Sequence, residues 1–304
     1  MNKTKEKGGL KKWSGSDRIW LFVMNAPFLF LFLFVTVIPV ISSVVLSFFR
    51  YDMVNAPDFI GLKNYYRMFV EDGVFLIAIK NTFKLVVITG PVGFMMSFVL
   101  AWMINDLSPA KRTALSFLFY SPALMGNVYF IWQVLFSGDS YGYANSILLS
   151  LNVISDPIQF FNDEKYAMTL VIVVQLWMCM GVSFLANISG LQNVDNSLYE
   201  AGAIDGIRNR WAELWYITLP SMKGILLFGA VMQIQASFSI SGVATALTGF
   251  PSVNYSTHTI VTHLSDVATT RFELGYGAAL SVFLFAVMAL TRILIGKLLD
   301  MTGK

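Results

Sequence analysis

Apolar residues gather in six long runs, each close to the roughly 20 residues that a helix needs to cross about 30 Å of hydrocarbon. They lie at approximately Ile19–Phe49, Leu85–Ile104, Thr113–Phe136, Ala167–Leu191, Gly224–Leu247 and Leu274–Thr291. The pattern predicts an all-α polytopic membrane protein with about six transmembrane helices. The first run is long enough that part of it must tilt or project beyond the lipid. Its apolar length also exceeds the 7–15 residues of a signal peptide, and no small-x-small cleavage site follows, so an uncleaved span is expected.

Composition supports this. The 304 residues are 56% hydrophobic and only 13% charged, with a mean hydropathy of +0.64. Soluble domains carry roughly 25% charged residues, so about half the usual polar surface is missing, and lipid contact removes the need for it. The net charge of +3 is no nucleic-acid signal. A single cysteine, Cys179, rules out an internal disulfide, and two histidines, His258 and His263, are too few for a metal site.

Charge distribution sets the direction. Lys3, Lys5, Lys7, Lys11, Lys12 and Arg18 precede the first run, and Lys111, Arg112, Arg208, Arg210 and Lys223 fall in loops on the same side. That side outweighs the other by roughly two to one in Lys and Arg, which places both termini in the cytoplasm. Arg50, Lys63, Arg67, Lys80 and Lys84 are assigned to the first outer loop.

No Asp or Glu falls inside any of the six runs. Ion-coupled carriers need a buried ionisable group, and an intramembrane enzyme needs a nucleophile–base pair, so both are disfavoured as alternatives. Uncharged polar residues do occur at depth, including Asn127, Gln133, Gln175, Asn187, Gln233, Gln235, Ser237 and Ser241. Such groups either bond across helices or line a wet path. Gln233, Ser237 and Ser241 recur every four residues, so a helix stacks them on one face that suits a hydroxyl-rich solute.

Between the fourth and fifth runs, residues 192–220 predict a short helix–turn–helix at the membrane surface. Asn196 or Ser197 caps the first helix, Glu200 sits near its positive end, and Gly206 terminates it. A second amphipathic segment, Asn209–Thr218, carries Trp211, Trp215 and Tyr216, and Pro220 closes it. Read from physics alone, this is an ordinary interfacial connector before it is a docking element.

The residue order is more specific. Glu200-Ala201-Gly202-Ala203-Ile204-Asp205-Gly206, followed by Ile217-Thr218-Leu219-Pro220, resembles the EAA loop of binding-protein-dependent ABC importer permeases. Two departures stand out: Gly202 replaces an alanine, and ten residues rather than nine separate Gly206 from Ile217. The latter implies a shifted second helix or a longer turn. Phe59-Ile60-Gly61-Leu62-Lys63-Asn64-Tyr65, the positions Pro27, Pro39, Ser43, Ser47 and Phe48, and the pair Leu247-Thr248-Gly249-x-Pro251 and Gly275-Tyr276-Gly277-Ala278-Ala279 are similar to sugar-uptake members of the maltose and glycerol-phosphate type.

This resemblance implies a basic tail at 1–18, a peripheral helix and outer loop at 19–74, and a five-helix permease core at 75–304. Glu200, Ala201, Gly202, Asp205, Gly206, Ile217, Leu219 and Pro220 become the coupling elements gripped by a separate cytoplasmic ATPase dimer. A second homologous permease and an extracellular solute-binding protein complete the assembly in a prokaryotic plasma membrane. The chain contains no Gly-x-x-x-x-Gly-Lys-Ser/Thr loop, so it is not itself an enzyme; it binds no cofactor, and ATP and Mg belong to the ATPase. Gln233, Ser237, Ser241, Asn127 and Gln175 are the substrate-pathway candidates.

Overall fold

The structure is a computed structural model that describes residues 15–301; the basic cluster ahead of the first helix lies almost wholly outside them. Helix α1 (Gly15–Phe32) continues through a π turn (Leu33–Val37) into α2 (Ile38–Leu46). Strands β1 (Phe49–Arg50) and β2 (Asp58–Phe59) pair antiparallel with Phe49 opposite Phe59, and α3 (Lys63–Tyr66) leads to the 33-residue α4 (Gly73–Asn105). Then come α5 (Pro109–Leu124), α6 (Phe130–Leu135), α7 (Tyr143–Ser150), α8 (Glu164–Met178) and α9 (Val182–Gln192). The loop carries α10 (Asn196–Ile204), α11 (Arg210–Glu213) and α12 (Leu219–Ser221). The chain closes with α13 (Lys223–Phe238), α14 (Gly242–Thr248), α15 (Ile260–Ser265) and α16 (Leu274–Met301).

Among the described residues, five helices are long and apolar enough to cross a membrane: Ile19–Leu46, Gly73–Asn105, Glu164–Gln192, Lys223–Thr248 and Leu274–Lys297. The expected third span, Thr113–Phe136, is instead two pieces, α5 and α6, separated by 125–129. Pro122 has no N–H to give to the Leu118 carbonyl, and the Ser121 hydroxyl takes that acceptor at 2.8 Å. Met125 then turns extended just ahead of Gly126.

The second span also begins earlier than its apolar run. Asp72 caps α4 by accepting from the Phe75 N–H at 3.0 Å, so helix starts at Gly73 and not near Leu85. Lys80 and Lys84 therefore sit on α4 as exposed residues and not in an outer loop.

The first span has none of its apolar window buried, whereas α4, α8–α9 and α13–α14 are buried over a third to a half. A helix apolar all round needs lipid or protein on every side. The first span is accordingly peripheral, joined to the rest where α2 packs on α16.

The Phe59–Tyr65 motif explains that junction. Gly61 takes φ +61°, turning the chain so that the Asn64 amide donates to the Ser47 and Phe49 carbonyls at 2.8 and 3.0 Å. Tyr65 donates its hydroxyl to Ser47 Oγ at 2.8 Å. The free carbonyls at the end of α2 are thus satisfied by side chains. Gly275 lies against the same strand: a Cβ there would stand 2.0 Å from the Phe49 carbonyl oxygen, so the backbones meet only because the residue is glycine.

At this end of the bundle a polar network ties α4, α15 and α16 together. Asp72 accepts from Tyr276 at 2.7 Å and pairs with His263 Nε2 at 2.8 Å, while Arg67 bridges Glu273 and stacks over the Tyr276 ring. Burial alone would raise the Asp72 carboxyl, but the bonds from His263, Tyr276 and the Phe75 N–H hold it well below the usual carboxylate range. Neighbouring His258 is 2% exposed, and burial together with the nearby His263 pushes its pKa down to about 4.

Candidate functional site

Two regions stand out: the centre of the bundle and the loop at the opposite end from Asp72. In the centre, α4 packs against α9 and α13 through small and hydroxylated residues. Thr89 donates to Ser237 Oγ at 3.0 Å, the Ser97 and Ser183 hydroxyls lie 3.3 Å apart, and Asn187 donates to Ser97 at 3.3 Å. Such bonds average about 0.6 kcal/mol in membranes, so they fix register more than they stabilise.

Three chain segments break helix in this region. The breaks fall at 125–129, at Cys179–Gly181 and at Ser239–Ser241. Tyr129, Met178 and Ile240, one from or beside each break, belong to a single apolar cluster with Trp132, Leu176 and Val243. Non-helical backbone at membrane depth is tolerated only where protein or a wet cavity satisfies it. Here Thr259 donates to the freed Ile240 carbonyl at 2.9 Å, and Gln133, just past the first break, donates to the Ala246 carbonyl in the last turn of α14.

The break at 239–241 corrects the expected polar stripe. Gln233 and Ser237 are buried on the face of α13 that meets α4, but Ser241 lies beyond the end of α13, at φ −142°, and does not stack with them. Of the other pathway candidates, Asn127 is exposed in the first break and accepts from Tyr129 at 2.9 Å, while Gln175 is half-buried on α8, one turn ahead of the second break. Sequence reasoning passed over Trp132 and Trp177, whose rings lie 5.7 Å apart beside these breaks. Aromatic residues inside a span beside Pro122 and Gly181 were the available signal.

The loop at the other end is built as one body. Asp195, not Asn196 or Ser197, caps α10 by accepting from the Ser197 N–H at 2.9 Å. Gly206 takes φ +89° and ends the helix in a Schellman motif: the Ile207 N–H donates to the Gly202 carbonyl at 2.8 Å and the Gly206 N–H to Ala203 at 3.3 Å. Asn209 caps α11 through the Trp211 N–H at 2.8 Å.

Both departures from the EAA pattern have a structural place. A Cβ on Gly202 would sit 2.6 Å from Ile217 Cδ1, the movable end of that side chain, so the glycine gives the Ile217 side chain its seat between the two short helices. Between α11 and α12 the helix makes a π turn over Leu214–Thr218, which spends one residue more than an α turn. That π turn overlaps the ten residues between Gly206 and Ile217, where the chain departs from the family spacing. The Tyr199 and Thr218 hydroxyls, 2.9 Å apart, join the two arms.

The site candidates divide by face. Glu200, Ala201, Asp205, Gly206 and Pro220 are exposed, together with Ile204, which is 87% exposed, and the aromatics Trp215 and Tyr216. Gly202 and Ile217 are buried and Leu219 half-buried, so these three hold the loop together. Behind the loop an open polar cavity of about 490 Å³ lies between it and the end of α4, lined by Trp102, Asp106, Tyr199, Glu200 and Arg210 among others. Among the described residues no cluster of His, Cys, Asp and Glu is arranged to hold a metal.

Five helices suited to crossing a membrane, broken central helices and a compact surface loop define a helical membrane protein, and its relatives define it as a transport permease, a protein that moves solute and performs no chemical step. The chain belongs to the permease proteins of ABC transporters, in which ATP hydrolysis lies on a separate subunit. It is 30% identical over 288 residues to the probable ABC transporter permease protein YesP of Bacillus subtilis, covering 92% of this chain and 90% of that one. It is 29% identical over 279 residues to the arabinooligosaccharides transport system permease protein AraP of the same organism, covering 91% and 87%. Its fold matches a chain of a bacterial alginate ABC transporter, solved with an alginate pentasaccharide-bound periplasmic protein, at TM-score 0.78 and 21% identity over 96% of this chain and 98% of that one. No family model matches it.

Proposed function

We propose that this permease carries a sugar, oligosaccharide or related polyol into a prokaryotic cell across the plasma membrane. Transport runs by alternating access driven from a partner ATPase. The observation that carries the reading is the loop 192–220. Its exposed face presents Glu200, Ala201, Ile204, Asp205 and Gly206, while its inner face is locked by Gly202, Ile217 and the Tyr199–Thr218 bond. A stiff body attached to α9 on one side and α13 on the other converts a push into a tilt of both helices. ATP and Mg sit on the ATPase dimer, and this chain holds neither.

A second homologous permease closes the path, and a solute-binding protein delivers the cargo at the Asp72 end. The alginate transporter solved with its periplasmic protein supports delivery by such a protein, and the arabinooligosaccharide permease supports a glycan cargo. Under this reading both termini share the cytoplasmic side with the loop, as the Lys and Arg bias favours. The three helix breaks mark the path, with Asn127, Gln175, Gln233 and Ser237 as polar contacts. Trp132 and Trp177 supply an apolar platform for the faces of sugar rings.

Glu200→Lys tests the loop directly. Co-expressed with its partners, the variant should insert normally but lose the ATPase on purification, since a charge-assisted contact of about 1.5–3 kcal/mol becomes a repulsion. Normal recovery of the ATPase would overturn the reading.

A further inference from the structure

We propose that Arg210 is a positioning residue that yokes the coupling loop to α4, so that loop movement drags the central helix as well as α9 and α13. The inference rests on the coupling role proposed for the loop and adds a second line of transmission. The loop is joined covalently to α9 through 193–195 and to α13 through 219–222, but α4 belongs to a different part of the chain. Arg210 reaches it with three interactions at once. Its Nη2 donates to the Trp102 carbonyl at 2.8 Å and pairs with Asp106 Oδ2 at 2.8 Å, and its guanidinium lies 4.3 Å above the Trp102 ring. Trp211, the next residue, packs its ring 5.0 Å from that of Trp102.

The chemistry suits a handle. The last carbonyls of a helix are unsatisfied and carry partial negative charge, so a planar guanidinium binds the end of α4 where the backbone is most receptive. Arg presents a fixed fork that serves a carbonyl and a carboxylate together, which a lysine ammonium does less well. Arg112, at the start of α5, donates to the Asn105 carbonyl at 3.1 Å, so two guanidiniums from different segments grip the same helix end. Leu214 supplies the apolar part of the contact, buried in one cluster with Ala101 and Ile104. Pulling on α4 matters because Thr89, Gly93 and Ser97 along its length meet α13 and the α8–α9 span.

The test uses the complete transporter, with its partner permease, ATPase and binding protein, reconstituted in liposomes. For Arg210→Ala, solute moved per ATP hydrolysed should fall about tenfold, the order of one intramolecular hydrogen bond, while the ATPase remains bound. Arg210→Lys should be intermediate. Asp106→Asn, which leaves the Trp102 contacts in place, should show a smaller loss in the same ratio. The exchange Arg210→Asp with Asp106→Arg should recover part of the ratio lost in Arg210→Asp alone, a rescue that a general packing defect would not give. A ratio unchanged in Arg210→Ala overturns the proposal, as does loss of the ATPase from that variant, because Arg210 would then serve docking. Should Arg210→Ala fail to insert, the Asp106→Asn and Arg210→Lys ratios decide in the same way. Failure here with Glu200→Lys still detaching the ATPase would leave the coupling loop intact and remove only the yoke.

Discussion

Gly93 on α4 and Gln233 on α13 meet so closely that a Cβ on Gly93 would stand 2.6 Å from Gln233 Nε2. The same Cβ would lie 3.2 Å from Cys179 Cβ, so the contact gathers three spans at one point. Small residues at helix crossings in membranes let backbones approach and gain dispersion contacts. The absent side chain thus leaves room for the Gln233 amide and, less adjustably, for Cys179 Cβ between the spans.

Gly93→Val should accordingly cost about 1–3 kcal/mol by overpacking and lower the thermal unfolding midpoint in detergent. Thr89→Ala, which removes one interhelical hydrogen bond, should cost only about 0.6 kcal/mol. A larger effect from Thr89→Ala than from Gly93→Val would show that hydrogen bonding, not close approach, sets this crossing.

Gln233→Ala probes the path. The side chain is buried with its amide packed against Gly93 of α4, so under the proposed alternating access a solute meets it only when α4 and α13 part. Uptake should fall about tenfold, the order of a hydrogen bond withdrawn from cargo, while the ATPase still co-purifies. Unchanged transport kinetics would remove Gln233 from the pathway.

Gly206 holds φ +89°, where a side chain is strained by about 1–2 kcal/mol. Gly206→Ala should weaken ATPase capture measurably, Gly206→Asn less so, and Gly206→Pro should abolish it. Proline fixes φ near −65° and removes the N–H that bonds Ala203. Equal capture by the proline and asparagine variants would mean that the Schellman turn does not shape the docking face.

His258 gives a pH signature. Its folded pKa of about 4 lies below the roughly 6.5 of an unfolded histidine, so the unfolded chain takes up the proton first as pH falls. The stability it contributes is complete above about pH 6.5 and is lost between there and about pH 4. Unfolding midpoints measured at pH 7.5 and pH 5 should differ more for the native chain than for His258→Phe. Asp72, whose depressed pKa acts below the ordinary carboxylate range, leaves that window clear. Identical pH dependence in both proteins would locate the titration elsewhere.

By itself the sequence determined that this is a multi-span membrane protein, where its surface loop lies, and that Gly206 ends a helix there. Transfer of apolar side chains to lipid is summed residue by residue along a run, and a Schellman turn involves only neighbours, so both are local and legible. Tertiary structure decided what depends on distant partners. The end of α13 at Phe238, where Thr259 takes the freed Ile240 carbonyl, removed Ser241 from the stripe, whereas Pro122 and the Asp72 cap act on near neighbours and were passed over only because apolar run length does not weigh them. Thr89 meets Ser237 across 148 residues and Asp72 meets His263 across 191. Polar groups at depth are satisfied by whichever helix packs beside them, and no local pattern names that helix.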